Sequence, residues 1–146
     1  GLTYIAMHKR GNPATMSQMT EYEDVAHDIK AYFDEFSNRA ECNGIKDWIL
    51  DPGIGFSKTI DQNYELLKSL EVFKTVRTAE GRSPRILIGV SRKSLIYKYL
   101  NISPDESLPA TQVLNFVSLQ NGADMLRVHD VAEAVRTRTI YCRLEQ

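Results

Sequence analysis

Four short apolar segments recur along the chain, and a polar cluster stands at or just after the end of each. They cover residues 4–7, 48–50, 86–88 and 125–129, and their ends are spaced about 40 residues apart. Apolar residues stand next to one another in these segments instead of alternating with polar ones. This pattern is typical of strands that are buried on both faces, as in parallel sheets covered by helices. The sequence therefore predicts four buried parallel strands.

A helical pattern of apolar positions follows each predicted strand. The first helix is predicted to start at the capping box Thr20-x-x-Glu23 and to end at Gly44, and the second starts at the capping box Thr59-x-x-Gln62. After the third strand, the break at residues 103–104 divides the pattern into two helices. Asp130 is predicted to cap the last helix. The chain thus reads as four successive βα units.

Alternating strands and helices imply a parallel sheet with right-handed crossovers, hence an α/β fold. Two architectures fit this pattern: an open doubly wound sheet, or half of a (β/α)₈ barrel. An intact barrel takes about 250 residues, so four units of about 40 residues supply roughly half of one. The sequence has neither a GxGxxG nor a GxxxxGK[ST] motif, which weakens the nucleotide-binding version of the open sheet. We expect residues 1–146 to form a single structural unit with no second domain.

Composition restricts the functional classes. Eighteen Lys and Arg against nineteen Asp and Glu give a formal net charge of −1, which argues against a nucleic-acid-binding or membrane-surface protein. No apolar run is long enough for a membrane span, and the first residues lack the features of a signal peptide. The chain opens on an apolar segment without Met, so we expect it to be cut from a longer one. Cys42 and Cys142 are expected to be free thiols in a reducing cytosol.

The side chains at the predicted strand ends suit an anionic ligand. Asp51 offers a carboxylate that only accepts hydrogen bonds, and Arg92-Lys93 supply donors. Arg127 and His129 are two residues apart on one strand, so they share a face and can bind phosphate oxygens together. Ser94 begins a predicted helix, whose free amides favour an anion. Because the carboxyl ends of parallel strands meet at one edge, we expect these groups to form one site.

Each of these signals also has a structural interpretation that the residues alone leave open. Residues 51–53 form a turn by themselves in many proteins, and residues 91–94 fit a solvated helix start. The remaining structural interpretations are an ion pair of Arg127 and His129 with Asp124 or Asp130, a buried hydrogen-bonded role for His8 in place of a ligand contact, and simple packing of Phe56. The joint occurrence of the polar groups at successive strand ends favours a functional site.

Four motifs resemble those of dihydropteroate synthases, in the same order along the chain. Residues 7–16 (MHKRGNPATM) resemble the fifth-strand segment of that family, and residues 51–59 (DPGIGFSKT) the sixth, with Ser57 where Gly is usual. Residues 89–94 (GVSRKS) resemble the seventh segment and residues 127–131 (RVHDV) the eighth. The resemblance covers essentially the whole chain and implies a (β/α)₈ TIM barrel of the pterin-binding type. This chain would be its four-unit second half.

The resemblance also implies an activity. The family joins 6-hydroxymethyl-7,8-dihydropterin diphosphate to 4-aminobenzoate, giving 7,8-dihydropteroate and diphosphate for folate synthesis, and it is the target of sulfonamides. It uses Mg²⁺, whose protein ligand is expected in the first half of the barrel, so that no metal ligand is expected in this chain. A cytoplasmic homodimer with small-molecule substrates is expected. Because the first four strands and two mobile catalytic loops are absent, the chain alone is expected to be inactive.

The resemblance assigns a role to ten residues. The residues expected to bind the pterin are Asp51, Lys93, Gly89 and Met7. The residues expected to bind the diphosphate are Arg127 and His129. The residues expected to border the aminobenzoate site are Phe56, Gly55, Arg92 and Ser94.

Two other functions compete with this one. A methyltetrahydrofolate-dependent methyltransferase domain shares the barrel and the pterin, but it has no need for a diphosphate-binding pair such as Arg127 and His129. A non-catalytic module that binds pterin or phosphate would keep the same residues without turnover. Residues 91–94 and the Arg127–His129 pair favour the synthase over the methyltransferase.

Overall fold

A computed structural model describes residues 2–146 of the chain. Its strands β1 (Tyr4–Met7), β2 (Trp48–Asp51), β3 (Arg85–Ile88) and β4 (Met125–Leu126) form one parallel sheet. All four predicted strands are present, and the first three agree with the prediction to within one residue. The fourth is shorter than predicted, because only two of the five residues expected there pair with β3.

The order of the strands decides between the two predicted architectures. The strands are hydrogen-bonded in the sequential order β1-β2-β3-β4. A doubly wound sheet reverses its strand order at a switch point, whereas a barrel adds each strand beside the last one. The described residues therefore form a half barrel of four βα units. This sequential order excludes the other predicted architecture, the open doubly wound sheet.

The helices cover the outside of this sheet. A short 3₁₀ turn (Leu70–Thr75) extends the second unit, and the third unit carries two helices, as the break at residues 103–104 predicts. No helix among residues 2–146 has both the length and the apolar character needed to cross a membrane. The helices are α1 (Val25–Cys42), α2 (Ile60–Lys68), α3 (Ser94–Leu100), α4 (Leu108–Gln120) and α5 (Val131–Leu144).

The predicted start of α1 is wrong. The helix is capped by Asp24, whose carboxylate accepts from the amides of Ala26 and His27, and not by the box Thr20-x-x-Glu23. Side chains from other segments bind the carbonyls that a helix would need there: Gln62 donates to Thr20 and Arg10 to Glu21. These contacts hold residues 20–23 as a loop. Asp caps a helix at least as well as Thr, so α1 loses no capping stabilisation by starting after Asp24.

Three other helix ends were predicted, of which two agree with the structure and one differs in its capping contact. The Thr59–Gln62 capping box is present with both of its hydrogen bonds, at 2.9 and 3.2 Å. Gly44 has a φ of 71° just after α1, the left-handed conformation that favours glycine at a helix end. Asp130 does precede α5, but its carboxylate makes no capping hydrogen bond and binds Arg92 instead.

The hydrophobic core fills the space between the sheet and the helices. Phe33 of α1 stacks on Trp48 of β2 with ring centroids 6.0 Å apart, and its edge meets Phe73. Leu50 and Ile86, which are partners in register, are fully buried beneath these rings. Burial of large apolar side chains against helices is the main stabilising contribution to such a layer.

The opposite face of the sheet is the one that points into the barrel. Register and alternation put Met7 beside Asp51 on this face, two positions beyond the paired Ile5 and Ile49. The exposure of this face differs between strands. Ile5 of the outermost strand is 46% exposed, whereas Ile49 and Leu87 in the middle of the sheet are only 5% exposed. The carboxyl ends of the strands thus converge on one concave surface.

Candidate active site

The carboxylate of Asp51 lies at the C-terminal end of β2, with only 1% of the side chain exposed. Its Oδ1 accepts a hydrogen bond from the amide of Gly53 at 2.9 Å, within the turn that follows the strand. Its Oδ2 lies 2.8 Å from Nη2 of Arg127, as an ion pair without the alignment of a hydrogen bond. A buried carboxylate is costly unless it is paired, and Arg127 supplies the partner.

Arg127 reaches this carboxylate across the backbone of Gly89. A Cβ at position 89 would lie 3.3 Å from both Nε and Nη2 of Arg127, so the absence of a side chain makes room for the guanidinium. The Arg127 side chain is 48% exposed, which leaves part of it accessible to a ligand. Arg127 therefore pairs with Asp51, and not with Asp124 or Asp130 as the alternative interpretation of the sequence had it.

Lys93 lies between the β2 and β3 ends. Its Nζ donates to the carbonyl of Ile54 and stands 4.8 Å from the centroid of the Phe56 ring. Gly55 is packed against its stem, because a Cβ there would lie 3.1 Å from Cδ of Lys93. Burial lowers the pKa of Lys93 to about 8, against the opposing attraction of Asp51.

His129 is held by the neighbouring strand end. Its backbone amide donates to Oγ of Ser91 at 3.2 Å, and its Nδ1 lies 3.0 Å from the same oxygen. Because Nδ1 is occupied by this contact, Nε2 is the ring nitrogen that is left to meet a ligand. The side chain is exposed at the open end of the sheet.

Arg92 is turned away from these groups. It has a φ of 53°, and its guanidinium forms two hydrogen bonds with the Asp130 carboxylate, at 3.0 and 2.7 Å. A third donor binds Asp105 at 2.8 Å. The bonds from Arg92 hold the pKa of Asp130 below its ordinary value. Arg92 therefore joins the loop after β3 to the start of α5 and to the exposed Asp105.

The structure thus brings most of the expected site residues together. We refer to five of them as the strand-end cluster, because they are in contact, in register or, for Lys93, in electrostatic interaction with Asp51 and Arg127: Met7, Asp51, Gly89, Lys93 and Arg127. Gly55 and Phe56 lie beside Lys93, and His129 follows Arg127 on the same strand end. Ser94 is half-buried at the first position of α3. Only the guanidinium of Arg92 is committed elsewhere, to Asp130 and Asp105.

Comparisons with known proteins identify the family of this chain. A family model described as "Pterin binding enzyme" matches residues 1–129. The chain belongs to the pterin-binding enzyme family. It is 37% identical over 142 residues to the dihydropteroate synthase of Escherichia coli strain K12, a match that covers 96% of this chain and 48% of that protein. The chain therefore spans about half the length of this relative.

Solved structures of dihydropteroate synthases have the same fold. The Yersinia pestis enzyme in complex with a sulfonamide drug superimposes with a TM-score of 0.90 at 31% identity, covering 99% of this chain and 51% of that one. The Burkholderia cenocepacia enzyme complexed with 7,8-dihydropteroate gives a TM-score of 0.88 at 30% identity, covering 97% and 52%. The resemblance drawn from the four motifs is confirmed, as is the half-barrel α/β fold.

The loop after β2 contains a lysine to which the sequence analysis assigned no role. Lys58 is half-buried below the loop after β2, where its Nζ donates to the carbonyls of Gly53 at 3.0 Å and Phe56 at 2.9 Å. Nδ1 of His8 lies 3.4 Å away. Burial, opposed by Asp51, lowers the pKa of Lys58 to about 7. The available signal was its place inside the 51–59 motif, but a lysine there is equally compatible with a solvated side chain.

The sequence left two roles open for His8, a ligand contact and a buried position, and the structure shows the buried one. Its ring makes an edge contact with Tyr32 of α1, with centroids 5.0 Å apart, and 3% of the residue is exposed. Burial lowers the pKa of His8 to about 3, and the nearby charges of Lys58 and Arg10 add to this effect. His8 is therefore neutral at pH 7, and its Nδ1 is available to accept from Lys58.

The charges at the open end of the half barrel are unbalanced. One buried carboxylate, Asp51, faces the guanidinium of Arg127 and interacts with the ammonium groups of Lys93 and Lys58. This excess of positive charge, partly screened from water, attracts an anion. Together with acceptor atoms on Asp51, it suits a ligand that combines an NH-rich edge with a phosphate group.

Proposed function

We propose that this chain is the second half of a dihydropteroate synthase barrel, contributing strands five to eight. The complete barrel, meaning this chain joined to the first four βα units, would condense 6-hydroxymethyl-7,8-dihydropterin diphosphate with 4-aminobenzoate. The observation that carries the proposal is the strand-end cluster, in which a buried carboxylate stands beside Arg127 and Lys93. The relative from Burkholderia cenocepacia, complexed with 7,8-dihydropteroate, supports the choice of ligand.

In this proposal the strand-end cluster holds the pterin. Asp51 accepts from the NH-rich edge of the ring, and Lys93 donates to a ring acceptor. Met7 packs against one face of the ring, beside Asp51 in the sheet register. Gly89 keeps the backbone open on that side, where Arg127 now lies. A carboxylate oxygen has two lone pairs, so Asp51 keeps its Gly53 contact while it binds the ligand.

Arg127 and His129 are proposed to bind the diphosphate. The planar guanidinium of Arg127 matches two phosphate oxygens at once, and Nε2 of His129 is free for a third contact. Positive groups at this point stabilise the charge that develops on the leaving diphosphate. Because Arg127 also pairs with Asp51, pterin and diphosphate recognition share one residue.

The second substrate is proposed to bind beside the loop after β2. Phe56 and Gly55 would border the aromatic ring of 4-aminobenzoate, and Ser94 would offer its hydroxyl to the carboxylate. Arg92 would border the same region through its stem and backbone, since Asp130 and Asp105 already bind its guanidinium. These assignments follow the family resemblance and are compatible with the positions of all four residues.

The proposed reaction is a substitution at the methylene carbon of the pterin substrate. The amine nitrogen of 4-aminobenzoate forms the new C–N bond, the C–O bond to diphosphate breaks with its electron pair going to the leaving group, and the amine proton passes to water. The protein's part is to position the two substrates and to stabilise the diphosphate. We assign no general base.

Mg²⁺ belongs to the family's reaction and would stabilise the diphosphate when bound. Among residues 2–146, no group of three or more His, Cys, Asp or Glu side chains is arranged to hold a metal ion. The residues of this chain thus do not form a Mg²⁺ site by themselves. We therefore derive no step through the metal and propose that its protein ligand lies in the first half of the barrel.

We further propose that the complete enzyme is a cytoplasmic homodimer. Apolar side chains on the outer surface of α4 and α5 support a contact between subunits, with Val113 at 62% and Ile140 at 59% exposure. The cytoplasmic location rests on the place of folate synthesis in metabolism. Two methods test these points: analytical ultracentrifugation of the complete enzyme, and fractionation of the cells that make it.

Genetic complementation tests the proposed function. Bacteria that lack dihydropteroate synthase need the products of folate metabolism, and the complete barrel should remove this need. The first four βα units alone and this chain alone should not. Growth failure despite a folded complete barrel that binds the pterin diphosphate would favour the non-catalytic binding module.

A further inference from the structure

The loop after β2, residues 53–58, has an unusual backbone conformation and one turn hydrogen bond of its own, from the amide of Phe56 to the carbonyl of Gly53. Three of its six residues have positive φ angles: Gly53 at 72°, Gly55 at 83° and Ser57 at 54°. A non-glycine residue in this region is uncommon and unfavourable, and such conformations persist only where surrounding contacts fix them. The contacts that fix this loop therefore decide where its side chains and carbonyls stand.

Side chains of Ser57, Asn63 and Lys58 provide these contacts, in addition to those of Asp51 with the Gly53 amide and of Lys93 with the Ile54 carbonyl. Oγ of Ser57 accepts from the amide of Arg10 at 2.9 Å and donates to its carbonyl at 2.6 Å, which ties the loop to the segment after β1. Oδ1 of Asn63 accepts from the amide of Gly55 at 2.6 Å. Lys58 donates to the carbonyls of both Gly53 and Phe56, and so reinforces the turn that the amide of Phe56 closes by donating to the Gly53 carbonyl at 3.1 Å.

The ammonium of Lys58 is used entirely within the fold. When Lys58 is protonated, its third donor faces Nδ1 of the neutral His8 at 3.4 Å, which accepts when that ring carries its proton on Nε2. Within the described chain, no carboxylate comes within ion-pair distance of Lys58, although Asp51 is close enough to interact with it electrostatically. The other charged groups that act on it are Lys93 and Arg10.

The loop that Lys58 braces is in direct contact with Lys93. The carbonyl of Ile54 accepts from Nζ of Lys93, the backbone of Gly55 packs against its stem, and the Phe56 ring lies 4.8 Å from its ammonium. A shift of the turn would therefore move Gly55 and Phe56, whereas Lys93 is also held outside the loop, since its amide donates to the carbonyl of Val90 at 3.2 Å. Asp51 is held separately from the loop, by its place in β2 and by its ion pair with Arg127, and it accepts from the amide of Gly53.

We propose that Lys58 is a positioning residue that braces the 53–58 loop and thereby sets the affinity for the second substrate, 4-aminobenzoate. The proposal rests on the proposed function, because it uses the assignment of Phe56 and Gly55 to that substrate. Lys58 touches neither reactant in this arrangement. It acts through the carbonyls of Gly53 and Phe56, which fix the turn that borders the aminobenzoate.

Steady-state kinetics of the complete barrel test the effect on the substrate. Lys58→Met removes the three donors and keeps most of the apolar stem, and Lys68→Met makes the same change on an exposed lysine of α2 as a control. For Lys58→Met, we expect the KM for 4-aminobenzoate to rise about tenfold or more, with the KM for the pterin diphosphate changed less than about threefold. Lys68→Met should change neither. Equal effects on both substrates, or none, would overturn the positioning role.

Amide hydrogen exchange of this chain tests the brace without any catalysis. In Lys58→Met, the amides of Gly55 and Phe56 should exchange at least about tenfold faster, while amides of β2 and α2 keep their protection. Unchanged exchange at Gly55 and Phe56 would overturn the brace. If the unsubstituted complete barrel makes no product, the proposed function fails, and the exchange measurement still decides whether Lys58 braces the loop.

Discussion

Asp51 and Arg127 form one unit at the residue scale, although the family resemblance assigns them to different parts of the proposed substrate, the pterin and the diphosphate. Arg127 makes the buried position of Asp51 tolerable: the carboxylate is 1% exposed, and the guanidinium 2.8 Å away offsets its charge. A ligand with NH groups can take over part of this role at Asp51, while its diphosphate attracts Arg127. Substrate binding would then rearrange the pair, with both charges remaining partnered.

Asp51→Asn tests the pterin contact in the complete barrel. One acceptor oxygen becomes an amide donor that faces a donor of the ligand, so binding of the pterin substrate should weaken by roughly 2–4 kcal/mol. Isothermal titration calorimetry measures this difference, with Asp61→Asn on the exposed side of α2 as the control. An affinity within a factor of about three of the unsubstituted protein would remove Asp51 from this role.

Arg127→Ala separates diphosphate recognition from support of the fold. Affinity for the pterin diphosphate should fall far more than affinity for the same pterin carrying a hydroxyl in place of the diphosphate, because only the first ligand uses the guanidinium charge. Some loss is expected for both ligands, since Asp51 is left without its cation. Equal losses for the two ligands would mean that Arg127 serves only to pair with Asp51.

At the scale of elements, β1 and α1 meet at a buried titratable group. His8 follows β1 and packs edge-on against Tyr32 of α1, while Lys58 approaches from the next loop. Its pKa is lowered to about 3, so folding favours the neutral ring. The unfolded chain binds this proton below pH 6.5 and the folded chain does not. Stability is therefore fully present above pH 6.5 and is lost as the pH falls toward 3.

Urea unfolding of this chain at pH 7.5 and pH 5 measures this contribution. The His8 term should lower the free energy of unfolding by about 2 kcal/mol between the two values, and His8→Gln should remove that part of the pH dependence. His27→Gln, at an exposed position in α1, should leave it in place. A pH dependence that is the same with and without His8 would show that this ring is not held neutral by burial.

Elements with strong local signals are the ones that could be predicted. The Thr59–Gln62 box has both partners in its own segment, and the short strands stand out because their apolar residues are contiguous. The start of α1 could not be predicted, because it depends on Gln62 and Arg10 binding the carbonyls of residues 20–21 from elsewhere in the fold. The length of β4 likewise depends on how far it pairs with β3.

In the candidate site, too, one part could be predicted from the sequence and another part could not. Residue types at the strand ends indicate which groups converge, since parallel strands end at one edge. They do not indicate how the groups pair once they meet. Arg127 could have bound several carboxylates, and only the close approach over Gly89 directs it to Asp51. The contact of Lys58 with His8 and the Arg92–Asp130 pair are also tertiary, because each joins residues from different βα units.

At the scale of the whole molecule, the half barrel has two outer strands whose free edges remain unpaired within the described residues. β1 pairs only with β2, and β4 only with β3. Next to the first edge, Tyr4 is 49% and Ile5 46% exposed. Unpaired edges and exposed apolar side chains favour association. In a complete barrel the other half would cover both edges.

The isolated chain should therefore self-associate. Light scattering across a concentration series should give a mass above the 16.6 kDa of one chain, and adding the first four βα units should replace this species by a complex of the two halves. A chain that stays monomeric at all concentrations, and that does not bind the first half, would contradict the account of its edges.

The central claim is that this chain carries the second half of a dihydropteroate synthase site. The most direct test is the formation of 7,8-dihydropteroate from labelled 4-aminobenzoate and the pterin diphosphate, with Mg²⁺, by the complete barrel and by this chain alone. We expect product from the complete barrel, loss of nearly all of it on Arg127→Ala, and none from this chain alone. A folded complete barrel without product, or product at a full rate from this chain alone, would contradict it.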